Sequence, residues 1–245
     1  MTKLRPRWLA LPAALVLALP VTACDSAGDE APAANQPAAT SASPSASAGT
    51  GLYFYPPVEG ATLEYTLGGV VSGTNAVTVD TVAEGADGRT VTVTEKGSGP
   101  AAERTFVTRG DGGLTVDIGA FGASAAGLSV KGTGEDVAVP PVTDLEAGEK
   151  GTGSTSVEVS GPGLEGEHKV TYTVTGGGTE SVTVPAGTAE AYLITLDLDL
   201  GAGVAGVTKA SGKFWLKPGF GLVKQEISIA GLVMTTELAK SSVPL

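Results

Sequence analysis

The single cysteine of this chain, Cys24, is the residue whose chemistry is most restricted by its position. A thiolate is a strong nucleophile and a metal ligand, and a pair of thiols can form a disulfide. The 245-residue sequence offers no second cysteine for a disulfide. Cys24 directly follows Val21-Thr22-Ala23, which close an apolar stretch. This position predicts covalent modification of the thiol at a newly created N-terminus.

The residues before Cys24 have the layout of a secretory signal. Lys3, Arg5 and Arg7 form a positive n-region, and residues 8–19 form an apolar stretch. A membrane-spanning helix needs about 20 apolar residues, so this stretch is too short to remain as a transmembrane anchor. We therefore expect residues 1–23 to be a signal peptide.

The segment Val21-Thr22-Ala23-Cys24 resembles the lipobox of bacterial lipoproteins. The resemblance implies diacylglyceryl transfer to the Cys24 thiol, cleavage before it, and palmitate-like acyl chains. These would anchor the protein to the extracytoplasmic face of the cell membrane. Each buried methylene contributes about 0.8 kcal/mol, and stable anchoring takes about two chains. The alternative is ordinary secretion, since the same three small residues also suit a general signal peptidase.

Residues 24–51 are almost entirely Ala, Pro, Ser and small polar residues. Such a segment buries too little apolar surface to offset the entropy of ordering. We expect a disordered linker that holds a folded domain, residues 52–245, away from the membrane.

The charge of the mature chain excludes one class of partner. Removing Lys3, Arg5 and Arg7 from the 15 basic residues leaves 12 against 26 acidic ones, a formal charge of −14. A surface of this sign repels phosphates, so nucleic acid is not expected as a partner.

Alternation of apolar and polar residues recurs throughout the domain and predicts strands. In residues 168–174, HKVTYTV, every second residue is apolar, and AYLITLDLDL, residues 191–200, continues the pattern. Turn signals such as Asp87-Gly88, Val184-Pro185-Ala186-Gly187 and Lys217-Pro218-Gly219-Phe220 separate the runs. No convincing helix follows the signal. We predict an all-β fold with a single antiparallel curved sheet, a half-barrel or open barrel.

Two stretches, residues 53–65 (YFYPPVEGATLEY) and 180–226, resemble a family of bacterial envelope β-proteins of unassigned function. The second contains the Pro185-Ala186-Gly187 turn, Trp215 and the run GFGLV at 219–223. The resemblance implies the half-barrel fold of periplasmic lipoprotein carriers, a curved sheet with an apolar concave face. It raises a lipid-handling hypothesis, although fold does not establish function.

Motifs that could support catalysis or cofactor binding lack the context they need. Residues 201–206 spell G-x-G-x-x-G, but too few residues follow for the crossover helix of a dinucleotide site. His168 is the sole histidine, which leaves no recognisable nucleophile–base pair. Asp197 and Asp199 lie on one side of a predicted strand and could share a cation, but no calcium-loop pattern accompanies them. We expect no enzyme activity, no cofactor and no metal.

The remaining hypothesis is a binding module for an apolar, lipid-like ligand. Its cavity would be lined by Tyr172, Tyr192, Ile194, Leu196, Leu198 and Trp215. The uncharged runs 118–130 and 200–208 would form flexible rims around an apolar mouth. The alternative is an envelope scaffold whose β-domain fills its own core and binds a protein partner.

Overall fold

The computed structural model describes residues 51–97, 101–121, 129–161, 164–204 and 206–245. All of these belong to the second of two compact units, residues 46–245. The expected signal peptide, Cys24 and the expected linker to residue 50 therefore lie outside the described residues.

The domain is built from strands in chain order, with one 3-10 turn and one short helix. The strands are β1 Thr62–Gly69, β2 Gly73–Gly85, β3 Gly88–Lys96, β4 Ala102–Arg109, β5 Leu114–Val116, β6 Ser129–Gly132, β7 Val137–Val139, β8 Gly151–Gly161, β9 Leu164–Val184, β10 Gly187–Val204, β11 Val207–Lys217, β12 Gly221–Ile229 and β13 Leu232–Ser241. Helix α1 is Val142–Glu146, and the 3-10 turn is Ile118–Ala120. The expectation of no helix after the signal was wrong in this one respect. The five-residue helix α1 begins after Pro141 at its N-cap, where a helix end leaves backbone N–H groups without partners in any case, so the missing N–H of proline costs little.

All thirteen strands form one antiparallel sheet in the order β6-β8-β9-β10-β11-β12-β13-β1-β2-β3-β4-β5-β7. The sheet curls into a half-barrel, which confirms the predicted fold class. Among the described residues, no helix has the length and apolar character needed to cross a bilayer.

The alternation read from the sequence is also the alternation of burial. On β10, Tyr192, Ile194 and Leu196 are buried, whereas Asp197 and Asp199 are exposed. In neighbouring strands the buried residues lie opposite one another, so they all point to the concave side of the sheet. The predicted turn at 217–220 is present, with Phe220 N donating to Lys217 O at 3.0 Å.

The two ends of the half-barrel differ in which turns they carry. The upper rim is defined by the β1–β2, β10–β11 and β12–β13 connections, which the strand pairings place side by side. The lower rim is defined by the β2–β3, β4–β5, β9–β10 and β11–β12 turns. The first described residues lie at the lower rim, since Leu52 N donates to Gly112 O in the β4–β5 turn at 3.4 Å.

Candidate functional site: the interior of the half-barrel

The interior of the half-barrel is filled by the side chains of the chain itself. The cavity found there has a volume of about 10 Å³, enough for one water molecule. Its walls are apolar and come from the core strands and two additional segments: Phe54, Leu114, Val116, Phe121, Val137, Val139, Val174, Ile194, Leu196, Phe214 and Leu216. In this conformation the site has no room for an acyl chain.

Much of the filling comes from residues 52–55, Leu-Tyr-Phe-Tyr, which we call the aromatic plug. This segment precedes β1 and is not a strand, yet all four side chains are buried. The Phe54 ring stacks on Phe106 of β4, with centroids 4.6 Å apart and planes at 6°. It also contacts Phe121 and Phe214, so it joins the two halves of the curved sheet.

The backbone of the plug is held at the lower rim by close approach to β12. Leu222 N donates to Phe54 O at 2.9 Å. A Cβ at Gly221 would lie 2.7 Å from the same oxygen, so a side chain at this position would displace the plug. Thr108 Oγ1 donates to Leu52 O at 2.8 Å and secures the other end of the segment.

Charged residues on the concave face anchor the two tyrosines of the plug. The Tyr55 hydroxyl donates to Glu95 Oε1 at 2.8 Å, and the second carboxylate oxygen accepts from Arg104 Nε at 2.8 Å. Arg89 Nη1 donates to the Tyr53 hydroxyl at 2.8 Å. Burial, together with the Glu95 carboxylate, raises the pKa of Tyr55 well above its ordinary value, so the phenol stays protonated as the donor.

One side chain bridges the place where the two edges of the sheet approach each other. Strand β7 contacts β8, although the two share no ladder of paired residues. Across this seam Ala138 N donates to the Tyr172 hydroxyl at 3.2 Å. A Cβ at Gly153 of β8 would lie 2.5 Å from that hydroxyl oxygen, so the glycine makes space for the bridge.

The structure brings five of the six predicted ligand-binding residues to the concave side. Tyr172, Tyr192, Ile194 and Leu196 are buried in the core, and Leu198 is partly buried against it. Of these, Ile194 and Leu196 line the small cavity. Tyr192 lies over Gly176 beside Leu145 of α1, at the lower end of the interior.

Trp215 is separated from the other five because it lies on the opposite face of the sheet. It pairs with Leu193 on β10 and Lys224 on β12, whereas its neighbour Phe214 pairs with Ile194 in the interior. The Lys224 ammonium lies 5.2 Å from the centre of the indole, and Trp215 Nε1 donates to Glu180. Trp215 is therefore packed on the outer face.

The other candidate residues lie on exposed or peripheral parts of the sheet. Asp197 and Asp199 are exposed on the outer face, and Asp199 Oδ1 accepts from Gly201 N at 2.9 Å. His168 is half-buried on β9 near the upper rim. The G-x-G-x-x-G run at 201–206 connects β10 to β11 as a hairpin, and its residue 205 lies outside the described residues. Within the described ranges no group of three His, Cys, Asp or Glu side chains could hold a metal ion.

Sequence reasoning missed the residues that fill and anchor the interior: Phe54, Tyr55, Glu95, Arg104 and Phe121. The run YFYPP carried an available signal, because three consecutive aromatic residues next to an Ala/Pro/Ser-rich segment are costly to expose. The interior position of Glu95 and Arg104 had no comparable signal, since each lies in a strand with regular alternation.

Comparison with known proteins identifies the family. A model described as DUF3108-like matches residues 59–229. The chain belongs to the DUF3108-like family. No curated protein matches the sequence.

Two crystal structures resemble this DUF3108-like chain. One is a predicted lipoprotein from Parabacteroides distasonis, 16% identical, with a TM-score of 0.60 over 78% of this chain and 99% of the other. The second is a predicted exported protein with a YmcC-like fold from Bacteroides fragilis. It is also 16% identical, with a TM-score of 0.56 over 78% of this chain and 100% of the other. At this identity the likeness establishes the shared fold.

Proposed function

We propose that this protein is an extracytoplasmic lipoprotein, anchored to the cell membrane through acylated Cys24, that works without catalysis through contacts of its outer surface. The signal layout and lipobox-like segment support the anchor. The descriptions of the two structural relatives as a lipoprotein and an exported protein agree with export. In this proposal the β-domain is a rigid envelope scaffold, the alternative that the sequence left open.

The observation that carries the scaffold proposal is the volume of the interior. Pockets for small molecules span roughly 300–1,000 Å³, and the cavity described above is smaller than that by more than an order of magnitude. The plug is fixed by stacking, backbone hydrogen bonds and a Tyr–Glu–Arg cluster, so its position is specified by several independent contacts.

Native mass spectrometry of the protein extracted from membranes in mild detergent tests both the lipid anchor at Cys24 and the filled interior of the scaffold. We expect the mass of the acylated chain from residue 24 onwards, with no stoichiometric apolar ligand. A protein that partitions into water and reacts with a thiol reagent at Cys24 would disprove the anchor. A bound lipid that survives extraction at one per chain would disprove the filled scaffold.

A second candidate function is binding of an apolar, lipid-like ligand in place of the plug. The observation that favours it is that the plug lies outside every strand. Its withdrawal would open space beside Ile194, Leu196 and Phe214 without breaking the sheet. The ligand would then contact five of the predicted residues, Tyr172, Tyr192, Ile194, Leu196 and Leu198, with Trp215 behind the sheet.

Tryptophan fluorescence can separate the two candidates if the reporter is moved inside. In Phe121→Trp/Trp215→Phe the only tryptophan of the mature chain lines the cavity, whereas in the unmodified chain Trp215 lies outside it. Brominated fatty acids quench tryptophan only at contact. Quenching of the double variant but not of the unmodified chain would support ligand binding, and quenching of neither would support the scaffold.

A further inference from the structure

The two rims of the half-barrel differ in charge. At the upper rim the β1–β2, β12–β13 and β10–β11 hairpins, residues 65–79, 227–236 and 200–208, contain no Asp, Glu, Lys or Arg. The chain between β3 and β4 (97–102) and between β8 and β9 (161–164) also lacks charge in sequence. The β9–β10 turn of the lower rim, residues 181–189, is uncharged as well, so the difference between the rims lies in their other turns.

Two of the four turns at the lower rim, β2–β3 and β4–β5, are charged. Its β2–β3 turn is flanked by Glu84, Asp87 and Arg89, and the β4–β5 turn by Arg109 and Asp111. The segment from α1 to β8 adds further charges at 144, 146, 149 and 150. The charged rim is also the rim at which the chain enters from its N-terminal segment.

Exposed aliphatic side chains cluster on the uncharged rim. Val70, Leu232 and Val233 are 53%, 57% and 44% exposed, and Val58 is the only other large apolar residue of comparable exposure among the described residues. The first three are neighbours, because Val70 N donates to Val233 O at 3.2 Å and joins the β1–β2 turn to the start of β13. They form a small exposed apolar patch where the β1–β2 and β12–β13 hairpins meet.

We propose that the upper rim contacts the lipid bilayer, with Val70, Leu232 and Val233 inserted at its interface. This inference rests on the proposed anchoring at Cys24, which keeps a bilayer within reach. The rim has the chemistry for it: aliphatic side chains gain from burial among acyl chains, and no charge has to be dehydrated. The acidic remainder of the domain is repelled from anionic headgroups, so this end is the one that can approach.

The length of the N-terminal segment permits this orientation. Residues 24–50, which the sequence predicts to be a flexible linker, precede Gly51 at the lower rim. A flexible chain of that length has a root-mean-square end-to-end distance of roughly 30 Å and a maximum reach of roughly 90 Å. A ten-residue strand such as β13 spans about 34 Å. A linker of that reach would be long enough to pass the side of the domain and leave the upper rim on the membrane.

The composition of the rim offers a protein partner few anchoring side chains. Binding energy at protein interfaces is concentrated in Trp, Tyr and Arg. Residues 67–75 and 227–236 contain none of these, only Gly, Ala, aliphatic residues and small polar ones.

The test uses the full-length acylated protein in phosphatidylcholine vesicles. Because acylation blocks Cys24, a cysteine introduced by Leu232→Cys is the free thiol and can carry an environment-sensitive fluorophore. The matched control is Ala86→Cys, an exposed position in the β2–β3 turn of the lower rim. We expect a blue shift and quenching by nitroxide-labelled lipids for the label at 232, and neither for the label at 86. Adding Val70→Asp should abolish the quenching at 232.

Flotation of the vesicles distinguishes a wrong proposal for the rim from a wrong proposal for the anchor at Cys24. Protein that does not float, with a thiol at Cys24 that takes the label, would overturn the proposed anchor. Protein that floats while the label at 232 stays in water would overturn the rim proposal alone. If the label at 232 left water only on native membranes, and not on vesicles of pure lipid, the rim would bind a protein partner. That result would also overturn the proposal that the rim contacts lipid.

Discussion

Replacing Phe54 by alanine should remove the central contact of the interior. The ring is 3% exposed, stacks on Phe106 and touches Phe121 and Phe214, so several walls of the void would be rigid aromatic rings. Phe→Ala in a core costs 3–5 kcal/mol, and each aromatic pair adds about 0.5–1.5 kcal/mol beyond buried area. We expect a loss of about 4 kcal/mol, a large share of the 5–15 kcal/mol typical of a folded domain.

Urea unfolding of the mature chain, followed by Trp215 emission, measures this loss. Val58→Ala is the matched control, because Val58 lies in the same segment but is 41% exposed, and a surface change of this kind costs about 0.5 kcal/mol or less. A loss below about 1 kcal/mol for Phe54→Ala would refute the plug as a structural part of the core. A lower slope in urea with an unchanged midpoint would instead indicate that the native state had become less compact.

Three further predictions concern the plug anchors and the seam. Burial raises the pKa of Tyr55 and Tyr65 in the folded state, so the native protein holds their protons above the ordinary pKa of 10. Stability should therefore fall as the pH rises past that value, and phenolate absorbance should show these two tyrosines ionising together with unfolding, whereas independent ionisation would contradict the burial argument. Glu95→Gln should cost about 1–3 kcal/mol, because it leaves a half-buried charge unpaired, and an unchanged midpoint of thermal unfolding would count against the cluster. Gly153→Ala should cost about 1–3 kcal/mol by forcing Tyr172 from the seam, and hydrogen exchange should rise at β7 and β8 but not at β2, with uniform exchange as the contrary result.

Strand identity could be predicted from the sequence because burial in this fold follows a period of two. The segments around Tyr172 and Ile194 became the buried faces of β9 and β10, as the alternation indicated. Strand β13 was not predicted, since only Met234 and Leu238 of its ten residues are buried. The short strands β6 and β7 contain too few residues to show an alternation of apolar and polar side chains.

The candidate site was predictable only in part. The alternation of nearby residues shows which of them share a face of a strand, but it does not show which distant residues fill the interior. Phe214, Trp215 and Leu216 are consecutive apolar residues, so alternation alone cannot say which side Trp215 faces. The contact between Phe54 and Phe214 joins residues 160 positions apart, a distance over which a single sequence gives no signal. The small volume of the interior, which supports the scaffold proposal, follows from such contacts.

The position of the aromatic plug determines how the domain would respond to mechanical tension. Under the proposed anchoring at Cys24, a pull from the membrane would reach Leu52 and Phe54, which are buried in the core, before it reached β1. The hydrogen bonds of Leu52 and Phe54 to β4 and β12 would have to shear before any strand of the sheet could peel away. Force applied at the N-terminal end would thus be resisted by the buried contacts of the aromatic plug before it reached the strands.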